Sequence, residues 1–330
     1  MAADSNNPGQ TRKSLAFELL GKGQASEARA ILDSLCISNP ADAELLFALG
    51  VANGMLGNFS DAEDYLGKAV ILVPGNAHVH YNLGKAQKAQ DKAEAAVANF
   101  RTACRLEPGN AAYRNDLCNA LFALGQPREA LVHISHATTL APDNPSYRYN
   151  QGNVSGYLGL RDQAITAYRH ALALNPGFRA ARIALGDALL GAGQLDEAMS
   201  VYQPILQENP ADPGALVGMA AILDKRGQFS EAGDLLAPIL AAGQADAFAA
   251  ATFAGFSHHI NREEDAVRLA EQVLDNPQLQ AGERARLYFA LGRIHDRNRR
   301  HDQAFYYYSQ GNALRRSDFN SREHREYVDQ

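Results

Sequence analysis

The chain is 330 residues long, with 46% hydrophobic and 21% charged residues, 27 Gly and 13 Pro, which excludes disordered, collagen-like and low-complexity classes. Its net charge of −6, from 31 Lys+Arg against 37 Asp+Glu, argues against wholesale binding to nucleic acid or anionic lipid. No apolar run approaches the ~18 residues of a spanning helix, so no membrane crossing is expected.

Met1 to Gln10 read MAADSNNPGQ and carry neither the basic start nor the apolar segment of a secretory signal, so a cytoplasmic location is expected. Cys36, Cys104 and Cys118 are odd in number and far apart, without CxxC spacing. Neither a disulfide framework nor a zinc site is implied, and a reducing compartment fits. Charge is unevenly spread: Arg284 to Gln330 holds ten Arg against six Asp+Glu, which makes the C-terminal end locally basic.

A period of 34 residues runs through the chain, and such a period is the mark of a repeat architecture. Alanine recurs at Ala28, Ala62, Ala96, Ala130, Ala164, Ala198, Ala232 and Ala266, and again at Ala304 after a four-residue insertion. Pro40, Pro74, Pro108, Pro142, Pro176 and Pro210 share the register, and Gln244, Gln278 and Arg316 replace proline in the last three units. Nine units result, starting near 9, 43, 77, 111, 145, 179, 213, 247 and 285 and spanning 9–318. Residues 1–8 are expected to be a disordered tail and 319–330 a polar tail or linker.

Each unit divides into two amphipathic helices. In the third, Val79, Leu83 and Ala86 and then Val97, Phe100, Ala103 and Leu106 recur at spacings of three and four. Between the helices, Gly23, Gly57, Gly125, Gly159, Gly193 and Gly227 occupy one position, with Asp91 and Asn261 in two other units; all tolerate the left-handed conformation that reverses the chain. Arg299 is the exception. Proline stops the second helix, and Asp42, Asn76, Asn110, Asn144 and Asp212 stand where they can cap the next first helix.

This pattern resembles the tetratricopeptide repeat, which has a small residue near its eighth position, alanine at the twentieth, a large side chain near the twenty-fourth and proline at the thirty-second. The third unit matches best, with Tyr81 to Gly84, Ala96, Phe100, Ala103 and Pro108; elsewhere the eighth position holds Ala16, Gly50, Cys118, Gly152, Gly186, Ala220, Ala254 and Gly292. Cys118 is therefore a packing residue rather than a nucleophile. The resemblance implies an all-α solenoid, a right-handed superhelix of helix-turn-helix pairs with the first helices on its concave face. A narrower resemblance concerns Leu287 to Arg316. Asp302, Ala304, Phe305 and Gly311 to Arg316 are similar to the last repeat of bacterial proteins in which such repeats precede a sulfotransferase domain. The chain has no strand and phosphate-binding loop of its own for that chemistry.

In repeats of this family, positions five, six and nine usually hold ligands. Here they place Tyr81, Asn82 and Lys85, then Asn115, Asp116 and Asn119, then Tyr149, Asn150 and Asn153, and finally Asp187. An asparagine amide both donates and accepts, so a ladder of them can pair with an extended peptide backbone; equally, these residues can hold neighbouring helices together. Lys13, Lys85 and Lys88 do not form a carboxylate clamp, because Phe17 and Phe47 interrupt it. At the basic end Arg293, Arg297, Arg299, Arg300, Arg315 and Arg316 can dock an acidic partner or simply be a solvated face.

His258 and His259, expected to point in different directions on one helix, lack with His295 and Asp296 the i, i+4 spacing of a metal motif, and no nucleophile elbow or glycine-rich phosphate loop is found. No metal, cofactor or catalytic residue is expected. The leading expectation is a non-catalytic scaffold that binds a protein or peptide in its concave groove, with no nucleic acid or membrane partner. Two alternatives stay open: the substrate-recognition arm of a sulfotransferase, and self-association through the terminal repeats, favoured at the aromatic segment Phe305 to Gln310.

Overall fold

A computed structural model describes residues 8–317, with side chains from 11 to 314. The chain divides into two compact units, Met1–Leu174 and Asn175–Gln330. The first holds five helix pairs: α1 (Pro8–Gly21) with α2 (Ala25–Ser38), α3 (Ala43–Met55) with α4 (Phe59–Leu72), α5 (Ala77–Lys88) with α6 (Ala93–Leu106), α7 (Ala111–Ala123) with α8 (Pro127–Leu140), and α9 (Pro145–Tyr157) with α10 (Arg161–Leu174). The second holds four: α11 (Arg179–Gly191) with α12 (Leu195–Glu208), α13 (Pro213–Lys225) with α14 (Phe229–Ala241), α15 (Ala247–Phe256) with α16 (Glu263–Leu274), and α17 (Ala281–Arg297) with α18 (His301–Ser317). No strand occurs among the described residues, and the fold is an all-α solenoid of repeats.

Local chemistry sets the helix ends. The side-chain oxygens of Asp42, Asn76 and Asn110 each accept two backbone N–H groups at the start of α3, α5 and α7, and Asn144 does the same for α9. Asp212 accepts from Ala215 in α13, and Asp246 caps α15 in the same way. These bonds satisfy donors that have no partner within the helix. At the intra-pair turns the chain enters the left-handed region, at Gly57 with φ 80° and at Asp91, Asn261 and Arg299 with φ of 57°, 52° and 57°. Arg299 lacks both the freedom of glycine and the short polar side chain of asparagine.

Side-chain size explains the rest of the repeat pattern. Ala28, Ala62, Ala96, Ala130, Ala198, Ala232 and Ala266 are wholly buried, where each second helix meets its neighbours. At the eighth position the small residue faces the large one at the twenty-fourth: a Cβ on Gly84 would lie 2.8 Å from the Phe100 ring. Gly152 stands likewise against Tyr168, Gly186 against Tyr202 and Gly292 against Tyr308. Within the first unit, each second helix packs on its own first helix and on the next pair's first helix. The apolar side chains of the third pair, Val79, Leu83, Ala86, Val97, Phe100 and Ala103, are all buried. Cys118 is fully buried, and burial pushes its thiol up to about 12, so it is inert as a nucleophile.

Three local features differ from expectation. Pro8, counted with the tail, is the first residue of α1, a place where its missing N–H costs nothing; residues 1–7 and the C-terminal tail lie outside the described residues. The last pair starts at Ala281, four residues ahead of the repeat register, because Gln280 and Glu283 form a reciprocal capping box there. His258 and His259 stand not on α15 but in a 3-10 turn, Ser257–Ile260, that closes the shortened helix.

Candidate functional site

In the first unit, α5, α7 and α9 carry a half-buried polar and aromatic strip. The Tyr81 hydroxyl donates to Asp116 at 2.5 Å, Asn115 donates to Asp116 at 3.2 Å, and Asn150 donates to Asn115 at 2.8 Å. Both inter-repeat bonds link position five of one repeat to position six of the next. The strip is therefore a hydrogen-bonded chain across three repeats, and part of its polar capacity is spent on holding the first helices in register. Asn82 donates to the carbonyl of His78 on its own helix, and Asn153 accepts from the Tyr168 hydroxyl at 2.9 Å. Tyr149 lies 6.0 Å from the Tyr168 ring.

Two of the candidate groups have polar ends that are not engaged within the described residues. The Asn119 amide is half-buried and makes no hydrogen bond among the described residues. Lys85 is exposed, with its ammonium 5.5 Å from the centre of the Tyr81 ring and no carboxylate within salt-bridge distance among the described residues. Tyr81 also stacks at 4.5 Å on Tyr113. Burial, then the Asp116 bond, holds the Tyr81 phenol well above its usual range, so it remains a donor. By contrast, Lys13 bridges Asp42 at 2.9 Å and Glu44 at 2.7 Å; its charge is used within the fold.

Beside the strip, α3, α4 and α5 enclose a cavity of about 470 Å³. Val51, Met55, Phe59 and Leu66 supply its apolar walls, Gly54 leaves its floor open, and Asn82 and Lys85 stand among its lining residues. Val51 and Met55 escaped the sequence reading, although Val51 holds the ninth position of the second repeat and could have been reached by extending the same register one unit towards the N-terminus. Phe59 could not, because only the packing of α4 on α5 brings it there. The wall is braced: Gln90 donates to the Phe59 carbonyl at 3.0 Å and to Glu63 at 2.9 Å, and Lys92 bridges Glu63 at 2.5 Å.

In the second unit, Asp187 accepts the Tyr202 hydroxyl at 2.6 Å. Its own surface is open, yet the helices around it withdraw enough water to push the carboxyl above its ordinary value, against the opposing effect of the Tyr202 bond and of Arg286. The basic residues at the C-terminal end are divided. Arg293 lines a cavity of about 650 Å³ with Phe289, Tyr308 and Leu314, whereas Arg297 leans towards Glu263 at 3.7 Å on the side of α16. Arg299 and Arg300 are exposed in the turn, and the side chains of Arg315 and Arg316 lie outside the described residues. The aromatic run is divided as well: Phe305 and Tyr306 are 76% and 56% exposed, Tyr307 donates to Glu271 at 2.9 Å, and Tyr308 packs against Gly292. The histidines do not converge, since His259 stacks on Phe229 at 3.6 Å and His295 on Tyr307 at 5.3 Å.

Models of the tetratricopeptide repeat match residues 15–77, 54–116 and 149–215, more than half of the chain. A second model of the same repeat matches 88–151 and 189–253. The chain belongs to the tetratricopeptide repeat family. Among solved structures, a tetratricopeptide repeat protein from Parabacteroides merdae is similar over 75% of this chain and 98% of its own, at 18% identity and a TM-score of 0.65. YrrB, described as a tetratricopeptide repeat protein with an unusual peptide-binding site, is similar over 56% of this chain and 95% of its own, at 20% identity and a TM-score of 0.51. PilF of Pseudomonas aeruginosa covers 61% of this chain and 92% of its own, at 21% identity and a TM-score of 0.50. No curated protein matches the chain. These structural likenesses concern the tetratricopeptide fold. Among the described residues, no helix is long and apolar enough to cross a membrane.

Proposed function

We propose that this chain is a non-catalytic interaction scaffold that holds an extended segment of a partner protein against the first helices of its repeats. Tetratricopeptide repeats typically mediate protein–protein interaction. The observation that carries the finer reading is the half-buried Asn119 amide, without a hydrogen-bond partner among the described residues, and the exposed Lys85 ammonium at the equivalent position of the preceding repeat, on an otherwise cross-linked strip. A half-buried amide left unpaired in the free protein is one that a peptide backbone can satisfy without breaking an existing bond. Tyr81, Asn82, Asn115, Asp116, Tyr149, Asn150 and Asn153 then shape and stiffen the surface of the first unit rather than contribute equally to affinity, and Asp187 belongs to the equivalent face of the second unit.

The test is retention of partners from the source lysate by the intact chain, by Asn119→Ala with Lys85→Gln, and by Arg105→Ala on the exposed side of α6. Loss of the same proteins with the first variant alone supports the reading. Equal retention by all three rejects it and moves attention to the basic end, with Arg293, Arg297, Arg300, Arg315 and Arg316.

A second reading, the recognition arm of a sulfotransferase, rests on the sequence elements from Asp302 to Arg316. A reading frame continuing past Gln330 into a phosphate-binding loop would favour it; a stop codon there would remove it. Self-association is supported by the exposed Phe305 and Tyr306, and light scattering that shows only monomer at high concentration would exclude it.

A further inference from the structure

From the cavity between α3, α4 and α5 we infer that it is an anchoring pocket for one apolar side chain of an acidic peptide segment, with Lys85 receiving the adjacent carboxylate. The inference rests on the scaffold reading above and gives the partner its chemistry. Three observations carry it. The first is shape and lining: about 470 Å³ walled by Val51, Met55, Phe59 and Leu66 has room for a leucine, methionine or phenylalanine together with the peptide backbone beside it, since small-ligand sites are concave and mostly apolar with a few placed polar groups. Met55, one of the lining residues, is 49% exposed, and burial by a partner would remove apolar surface of this kind from water.

The second is charge. Lys85 and Asn82 are the polar residues of the lining, and the Lys85 ammonium has no acidic partner among the described residues. An incoming carboxylate therefore meets a cation that sits 5.5 Å from the centre of the Tyr81 ring, while a basic segment would be repelled. Asn82 bonds its own helix through its amide N–H to the His78 carbonyl, so its side-chain oxygen is turned free to accept a backbone N–H from the same segment.

The third is Gly54. Glycine inside a helix is unfavourable, and the neighbouring Gly50 has a packing reason, because Leu66 occupies the space of a Cβ there. Gly54 has none: a Cβ would meet only the Ala62 methyl, at 4.0 Å. What glycine does at this position is keep the pocket open. Gly67 in the middle of α4 likewise meets nothing within 4 Å, so the weight at Gly54 falls on its place in the lining of a cavity with a charged rim.

The experiment pans a random twelve-residue peptide library displayed on phage against the full chain, then measures the enriched peptides by fluorescence anisotropy. An enriched motif with one large apolar residue next to Asp or Glu is expected. Gly54→Leu, which fills the cavity and favours the helix, should bind such a peptide about tenfold or more weakly, while its melting temperature stays at or above that of the parent chain. Lys85→Gln should weaken binding several-fold and flatten its dependence on salt. Unchanged binding by Gly54→Leu, a basic consensus, or no enrichment overturns the pocket. If Gly54→Leu binds normally while Asn119→Ala does not, the pocket fails and the scaffold surface stands; if neither variant matters, both fail. A concentration-dependent dimer abolished by Gly54→Leu would make the occupant a second copy and would also overturn the inference.

Discussion

The Tyr81 hydroxyl and the Asp116 carboxylate are joined by a 2.5 Å hydrogen bond that ties α5 to α7. The bond closes a half-buried site in which Tyr81 also stacks on Tyr113. Removing the hydroxyl while keeping the ring isolates this link. Tyr81→Phe is expected to destabilise the first unit by about 1.5–3 kcal/mol, the range for a hydrogen bond to a charged group. Asp116→Ala should cost no additional amount in the Tyr81→Phe background beyond its own lost contacts, so in a double-mutant cycle in urea the double variant should lose less stability than the sum of the two single variants. A coupling of zero would mean that the two side chains do not share their energy.

Phe100 tests the packing code of the repeat. Its ring fills the space that Gly84 leaves, and it is completely buried. Phe100→Ala is expected to cost roughly 3–5 kcal/mol through the cavity it creates, and Ala130→Leu roughly 1–3 kcal/mol through overpacking of a site with no exposed surface. Chemical denaturation of each variant against the parent chain measures both. Because unit boundaries allow partial unfolding in repeat arrays, the transition should be followed by two probes.

The fold was legible because each unit repeats the same three physical demands. A chain reversal needs a left-handed residue, a buried crossing needs alanine, and a helix start needs a capping oxygen; Gly57, Ala62 and Asp42 meet all three within one repeat. The candidate site was legible only as a set of positions. The sequence places Asn115 and Asn150 at equivalent sites but does not say that one amide will donate to the other, since that depends on the offset between neighbouring helices. The pocket was hidden for the same reason: Met55, Phe59 and Lys85 lie on three different helices and meet only after α4 has packed on α5. The histidines were misplaced because α15 ends at Phe256 and a 3-10 turn redirects His259 onto Phe229.

Arg299 carries a backbone cost that its repeat equivalents avoid. It sits at φ 57° in the turn between α17 and α18, is exposed, and holds the place that glycine takes in six other repeats. An L-residue with a long side chain is disfavoured in this region by about 1 kcal/mol or slightly more. Arg299→Gly is therefore expected to raise the stability of the last helix pair by roughly 0.5–1 kcal/mol, after the greater flexibility of glycine in the unfolded chain is subtracted. The converse change, Gly227→Ala, should lower stability, because Gly227 has φ 76°. Hydrogen exchange over α17 and α18 reads the first change, and a loss of protection with Arg299→Gly would refute the strain.

His295 makes the last repeat sensitive to acid. The residue is 4% exposed, neither ring nitrogen makes a hydrogen bond of good geometry among the described residues, and the ring stacks on Tyr307 at 5.3 Å with 16° between planes. Burial holds the imidazole below its ordinary value and Arg300 adds to the effect, while Glu271 and the Gln303 side chain oppose it. The folded state thus binds this proton less readily than the unfolded chain does. Above the unfolded value, near pH 6.5, both states leave the ring neutral and the group has no effect on stability. As the pH falls below that value the unfolded chain takes up the proton first, and stability declines until the folded ring is protonated too. His133 and His258 are shifted in the same direction by burial and add to the acid limb. His295→Leu keeps an apolar filler beside Tyr307 and removes one of the three. The difference in urea midpoint between pH 7.5 and pH 5.5 should shrink in that variant, and an unchanged difference would show that the folded structure protonates His295 without strain.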